Sequence, residues 1–128
     1  MNKEILIVDD VEGVRREIGF LFEDEGYNVT LAANGEEALT ILSQKTIQIM
    51  ISDILMPIMD GIELSMQVRK LFPEVKVVLI SGGGKTYSKD SSMINGLLSQ
   101  AKKLSSPDAI IKKPFKSKQL LDCVKAIF

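Results

Sequence analysis

Ile5-Leu6-Ile7-Val8-Asp9-Asp10 is a short apolar run, mostly β-branched, that stops at two carboxylates. A run of this length with no polar residue on either face reads as a strand covered on both sides. The pattern recurs three times. Ile47 to Ile51, broken only by Gln48, runs through Ser52 into Asp53. Val75 to Ile80, broken by Lys76, runs into Ser81, and Ala109-Ile110-Ile111 runs into Lys112-Lys113-Pro114. If these runs are parallel strands, their C-terminal ends share one edge of a sheet. Three carboxylates, a hydroxyl and an ammonium then converge there, and open parallel sheets place their ligand sites at that edge.

The segments between the runs have helical spacing. Val14, Ile18, Leu21 and Phe22 mark an amphipathic helix that stops near Gly26. Tyr27, Val29 and Leu31 alternate with polar residues, as in a half-buried strand. Asn34 is a candidate N-cap, with Glu37 at the capping-box position and Ala38, Leu39 and Leu42 inside the helix. Pro57 breaks the chain after Asp53, and Asp60-Gly61 makes a turn or cap. Leu64, Val68 and Leu71 give a third helical face, ended by Pro73; Met93, Ile94, Leu97, Leu98, Ala101 and Leu104 give a long fourth. Ser117 is a candidate cap for a fifth, holding Leu120, Leu121, Val124 and Ile127. This alternation predicts an α/β fold, a parallel sheet with helices on both faces and right-handed crossovers. The 128 residues make one domain, 1–128, long enough to bury a sizeable core.

Composition narrows the function classes. Sixteen basic against seventeen acidic residues leave a net charge of −1, so no basic excess points to nucleic acid. The most apolar stretch, 47–59, is interrupted by Gln48, Ser52, Asp53 and Pro57, which argues against a membrane span. The first apolar run is too short for a signal-peptide core, so the expected location is cytoplasmic. The single cysteine, Cys123, has no internal disulfide partner, and its neighbours Leu120, Leu121 and Val124 suggest a small buried apolar residue. The absence of histidine excludes His-based triads, His metal sites and a phosphohistidine on this chain.

Asp9 and Asp10, with Asp53 beside them, repel one another, and burying them is costly without a cation. Hard oxygen donors with no His or Cys among them suit Mg²⁺ far better than zinc. An isolated Asp-Asp pair ordinarily just ends a strand in solvent. Asp53 and Lys113 at other ends of the same sheet shift that reading toward a site. Taken singly, Ser81 reads as a strand-end hydroxyl and Lys113 as a solvated lysine. Lys112 is assigned to solvent, Met56, Met59 and Met66 to packing, and Asp60 to a helix cap.

The matching residues are Ile7-Val8-Asp9-Asp10, Asp53-Ile54-Leu55-Met56-Pro57-Ile58-Met59-Asp60-Gly61, Ile80-Ser81-Gly82 and Lys113-Pro114-Phe115. In this order they give the chain, over essentially its whole length, a sequence that resembles the receiver domain of bacterial two-component response regulators, of the stand-alone, chemotaxis-regulator-like kind. The resemblance implies a flavodoxin-like, doubly wound five-stranded sheet of order 2-1-3-4-5 with five helices. It implies that Asp53 is the phosphoacceptor, served by a histidine kinase or a phosphotransfer protein. It implies direct Mg²⁺ coordination by Asp10, a largely water-mediated contact from Asp9, and further ligands in Asp53 and the Leu55 backbone carbonyl. Ser81 and Lys113 are implied as partners of the phosphoryl oxygens, with a cis Lys113–Pro114 bond. The implied protein is a regulator that signals to a downstream protein target, not an enzyme beyond self-catalysed phosphorylation and dephosphorylation. With no output domain expected after Phe128, the signal is expected to leave by protein contact or onward phosphotransfer.

The sequence departs from the family pattern in two places. Ile110 stands where the family usually has Tyr or Phe, so an aromatic in-out switch does not carry over, and Tyr87 is a weak substitute. The stretch from Ser81 to Lys113 is longer than usual, with Gly82-Gly83-Gly84 and a lengthened fourth helix. Gly84-Lys85-Thr86 is not a P-loop, because Leu79 occupies the position of the required first glycine. Two other functions fit the residues less well. An Asp-nucleophile phosphohydrolase needs a second Asp two residues after the first, where Leu55 stands. A phosphorylation-independent adaptor has no need of the intact Asp9, Asp10, Asp53, Ser81 and Lys113 set.

Overall fold

The computed structural model describes residues 3–81 and 107–128. Five strands, β1 (Glu4–Val8), β2 (Asn28–Ala32), β3 (Ile49–Asp53), β4 (Lys76–Ser81) and β5 (Ala109–Lys112), form one sheet of order β2-β1-β3-β4-β5. Every neighbouring pair is parallel. Four helices are described: α1 (Glu12–Asp24), α2 (Gly35–Gln44), α3 (Gly61–Leu71) and α4 (Ser117–Ile127). The helix expected over Met93 to Leu104, together with the Gly82-Gly83-Gly84 loop and Tyr87, lies outside the described residues.

Strand periodicity sorts the apolar residues onto two faces. Ile5 and Ile7 of β1, Ile49 and Ile51 of β3, and Val78 and Ile80 of β4 pack with Ile18 and Phe22 of α1 and Leu120 and Val124 of α4. Their alternates Leu6, Val8, Met50, Val77 and Leu79 pack with Ala38 and Leu42 of α2 and Leu64 and Val68 of α3. The runs are continuous in sequence because both faces are covered. Phe22 is fully buried, and truncating a side chain of this kind to alanine costs about 3–5 kcal/mol.

The helix ends use local chemistry. After α1, Gly26 sits at φ 93°. The Gly26 and Tyr27 N–H groups return to the Glu23 and Phe22 carbonyls, both at 3.0 Å. This is a Schellman motif, and the Tyr27 ring meets Phe22 edge-on at 5.2 Å to complete it. Asn34 caps α2 by accepting the Glu37 N–H at 2.9 Å. The reciprocal half of the expected box is displaced by one residue, since Glu37 accepts from Ala33 N–H at 3.4 Å. Asp60 caps α3 by accepting the Glu63 N–H at 2.8 Å.

Some sequence expectations shift. Ser117 is the first residue of α4, not its cap; Lys116 holds the cap position, and its N–H donates to Gln119 Oε1 at 2.7 Å. Leu71 and Met66 are exposed, because α3 buries the Ile62, Leu64, Ser65 and Val68 side instead. Cys123 is half-buried rather than buried. Away from the site, Asp108 joins three elements at the opposite sheet edge. Its carboxylate accepts from the Arg69 guanidinium and from the Val77 N–H, the latter at 2.7 Å.

Candidate functional site

The strand ends bring the candidate residues to one edge. β1 ends in Val8 and delivers Asp9 and Asp10, β3 ends in Asp53, β4 in Ser81, and β5 is followed by Lys113. Asp9 is buried, Asp10 exposed and Asp53 intermediate, and one carboxylate oxygen of each lies within 4.8 Å of the others. The Lys113 ammonium stands 4.0 Å from Asp53 Oδ2. The Lys113–Pro114 peptide is cis. The Lys113 N–H donates to the Ser81 carbonyl at 2.9 Å, which ties β5's exit to the end of β4.

Burial pushes the Asp53 carboxyl up to about 6; the Lys113 ammonium and the Leu55 N–H pull it back, while Asp9 and Asp10 push it further up. Burial raises Asp9 as well, against the hydrogen bond it accepts from the Val11 N–H at 2.9 Å. Such an acidic cluster could hold a cation. The donors are hard oxygens, with no nitrogen or sulfur in the set, and fit Mg²⁺. The Ser81 hydroxyl is buried without a hydrogen-bond partner among the described residues.

Of three supporting residues, Arg15 and Ser52 were assigned no role from the sequence and Gly61 only that of a turn or cap. Arg15 Nη1 donates to the Asp9 carbonyl at 3.3 Å, and its charge favours the ionised Asp9. The Ser52 hydroxyl donates to the Asp53 carbonyl at 2.9 Å. Gly61 lies so close to β3's exit that a Cβ there would sit 2.2 Å from the Asp53 carbonyl oxygen. The Asp60-Gly61 pair was legible as a turn or cap, but the reason for its glycine was not. Ile110 packs, half-buried, against the α2–α3 face of the core. A depression of about 480 Å³ at the opposite edge, between Leu42 and Phe72, contains none of the candidate site residues.

Residues 5–125 match the response regulator receiver domain family. Sporulation initiation phosphotransferase F of Bacillus subtilis is 31% identical over 125 residues, covering 98% of this chain and 93% of that protein. A putative response regulator NtrX-like protein of Rickettsia bellii is 34% identical over 95% of this chain, which spans only 24% of that longer protein. The solved chemotaxis response regulator CheY4 of Vibrio cholerae superposes with a TM-score of 0.82 at 25% identity, each chain covered in full. The chain belongs to the response regulator receiver domain family.

Proposed function

We propose that the chain is a phosphoacceptor switch of a two-component phosphorelay, acting in the cytoplasm, with residues 1–128 as one receiver domain. Asp53 accepts a phosphoryl group from a histidine kinase or a phosphotransfer protein. The observation that carries this reading is the convergence of Asp9, Asp10 and Asp53 within 4.8 Å, with Lys113 4.0 Å from the Asp53 carboxylate.

Asp9, Asp10, Asp53 and the Leu55 carbonyl would hold Mg²⁺. When bound, the ion offsets the charge of the carboxylates and of the transferring group. The protein's own contribution is position and charge. Lys113 and the Ser81 hydroxyl receive phosphoryl oxygens. As the Asp53 oxygen bonds to phosphorus, the P–N bond to the donor imidazole breaks and the imidazole keeps the electron pair. Phosphorylated Asp53 carries close to two negative charges, which biases a protein-binding surface toward a downstream target.

The test is incubation with Mg²⁺ and acetyl phosphate, followed by intact mass measurement, repeated with Asp53→Ala. The parent should gain one phosphoryl group and the variant none. No gain in the parent with acetyl phosphate or with any histidine-phosphorylated protein donor refutes the switch, and a gain that survives Asp53→Ala refutes the site.

A further inference from the structure

Ile58 lies in the loop between Asp53 and α3 and is 75% exposed, the highest value for a large apolar side chain among the described residues. Its φ is 73°, a region that β-branched residues avoid. The Met59 N–H closes a three-residue turn around it onto the Pro57 carbonyl at 2.8 Å. This is the positive-φ γ-turn, the strained form. Glycine would hold the same turn without a Cβ clash. The strain is not offset by packing, because most of the side chain faces water. An apolar side chain held this way points to a use outside the folding of its own chain.

Its surroundings indicate the use. Val11, 52% exposed, follows Asp9-Asp10 directly. Beyond Lys113, Pro114 and Phe115 line a groove of about 440 Å³ against Val14 and Leu21 of α1. Apolar surface therefore borders the acidic site on the loops that follow β1, β3 and β5. A protein carrying its phosphoryl group on a histidine has to lay its surface over these loops to reach Asp53. A small phosphodonor does not.

We propose that Ile58 is a specificity-determining contact for the protein phosphodonor, whose apolar surface beside the phosphohistidine covers this side chain. The inference rests on the phosphoacceptor reading above. Ile58 takes no part in the phosphoryl chemistry, so its contribution separates the two kinds of donor.

The experiment compares the parent with Ile58→Gly, Ile58→Asn and Ile58→Leu. Each is phosphorylated by acetyl phosphate, and by the fastest donor from a panel of radiolabelled histidine kinases and phosphotransfer proteins. Gly and Asn should lower kcat/KM for the protein donor about tenfold or more, about 1.4 kcal/mol, chiefly through KM. They should leave the acetyl phosphate rate within about twofold and the melting temperature no lower than the parent's. Leu, apolar and of similar volume, should retain transfer from the protein donor. Equal losses with both donors, no loss with the protein donor, or no protein donor that serves the parent overturns the inference alone. A parent that neither acetyl phosphate nor any protein donor phosphorylates overturns the phosphoacceptor reading, and this inference with it.

Discussion

Gly61→Ala tests how tightly the start of α3 is seated against the phosphoacceptor. The added Cβ would lie 2.2 Å from the Asp53 carbonyl oxygen, 2.8 Å from Ile54 Cα and 3.0 Å from the Asp53 carbonyl carbon. All three are backbone atoms, so no side chain can swing aside. Ordinary contact begins at 3.4 Å, so helix or strand end must retreat by about 1.2 Å, the difference between 3.4 and 2.2 Å. That retreat opposes the 2.7 Å hydrogen bond from the Gly61 N–H to the Ile54 carbonyl. Overpacking of this kind costs about 1–3 kcal/mol, partly offset by alanine's helix preference of up to ~1 kcal/mol. For a chain of this length each kcal/mol shifts the melting point by about 3–4 °C. Two of the three atoms belong to Asp53 itself, and a 1 Å misplacement of a reacting group can cost about a hundredfold in rate. The assay pairs thermal melting with the rate of phosphorylation by acetyl phosphate at saturating Mg²⁺. Gly13→Ala is the control, because nothing lies within 4 Å of its added Cβ. A Gly61→Ala protein that melts and reacts like the parent would refute the reasoning.

Three further outcomes follow from the same geometry. Asp53, raised to about 6 by burial, holds its proton in the folded state at pH values where the unfolded chain has already lost it. Its contribution to stability is therefore full below about pH 4 and lost as pH rises through about 6, amounting to about 3 kcal/mol. In EDTA, Asp53→Asn should melt above the parent at pH 7.5, with the gap closing toward pH 4; melting curves across that range decide it, and a parent more stable at pH 7.5 contradicts it. Asp9→Asn keeps an oxygen acceptor for the Val11 N–H but removes one buried charge. It should fold normally and weaken Mg²⁺ binding in calorimetry by about tenfold or more, whereas unchanged affinity would remove Asp9 from the ligand set. Asp108→Ala deletes the acceptor shared by Arg69 and Val77 N–H at the far edge of the sheet. It should cost about 2–3 kcal/mol in denaturant unfolding while leaving the acetyl phosphate rate of the folded protein unchanged.

The strands and the identities at their ends were legible in the chain by itself. Ile5 to Val8 had to be covered on both faces because no position in the run is polar, and the period of two then sorts Ile5 and Ile7 from Leu6 and Val8. Asn34 and Asp60 were legible as caps because a short side-chain acceptor acts within a few residues of its own position. Leu71 was misplaced, because helical spacing alone does not say where a face runs out of sheet to cover.

Only the tertiary structure decided what depends on approach between distant segments. The need for glycine at 61 comes from the Asp53 backbone passing within contact distance, and nothing in Asp60-Gly61 encodes that. The raised carboxyls of Asp9 and Asp53 follow from burial beside one another, a desolvation that no local pattern reports. Ile58 is ordinary as a letter in an apolar loop; only its positive φ and its exposure set it apart. Residue types and spacing determine which groups arrive at the sheet edge. Their distances, solvation and backbone strain are set when separate segments pack together, because each depends on atoms contributed by other parts of the chain.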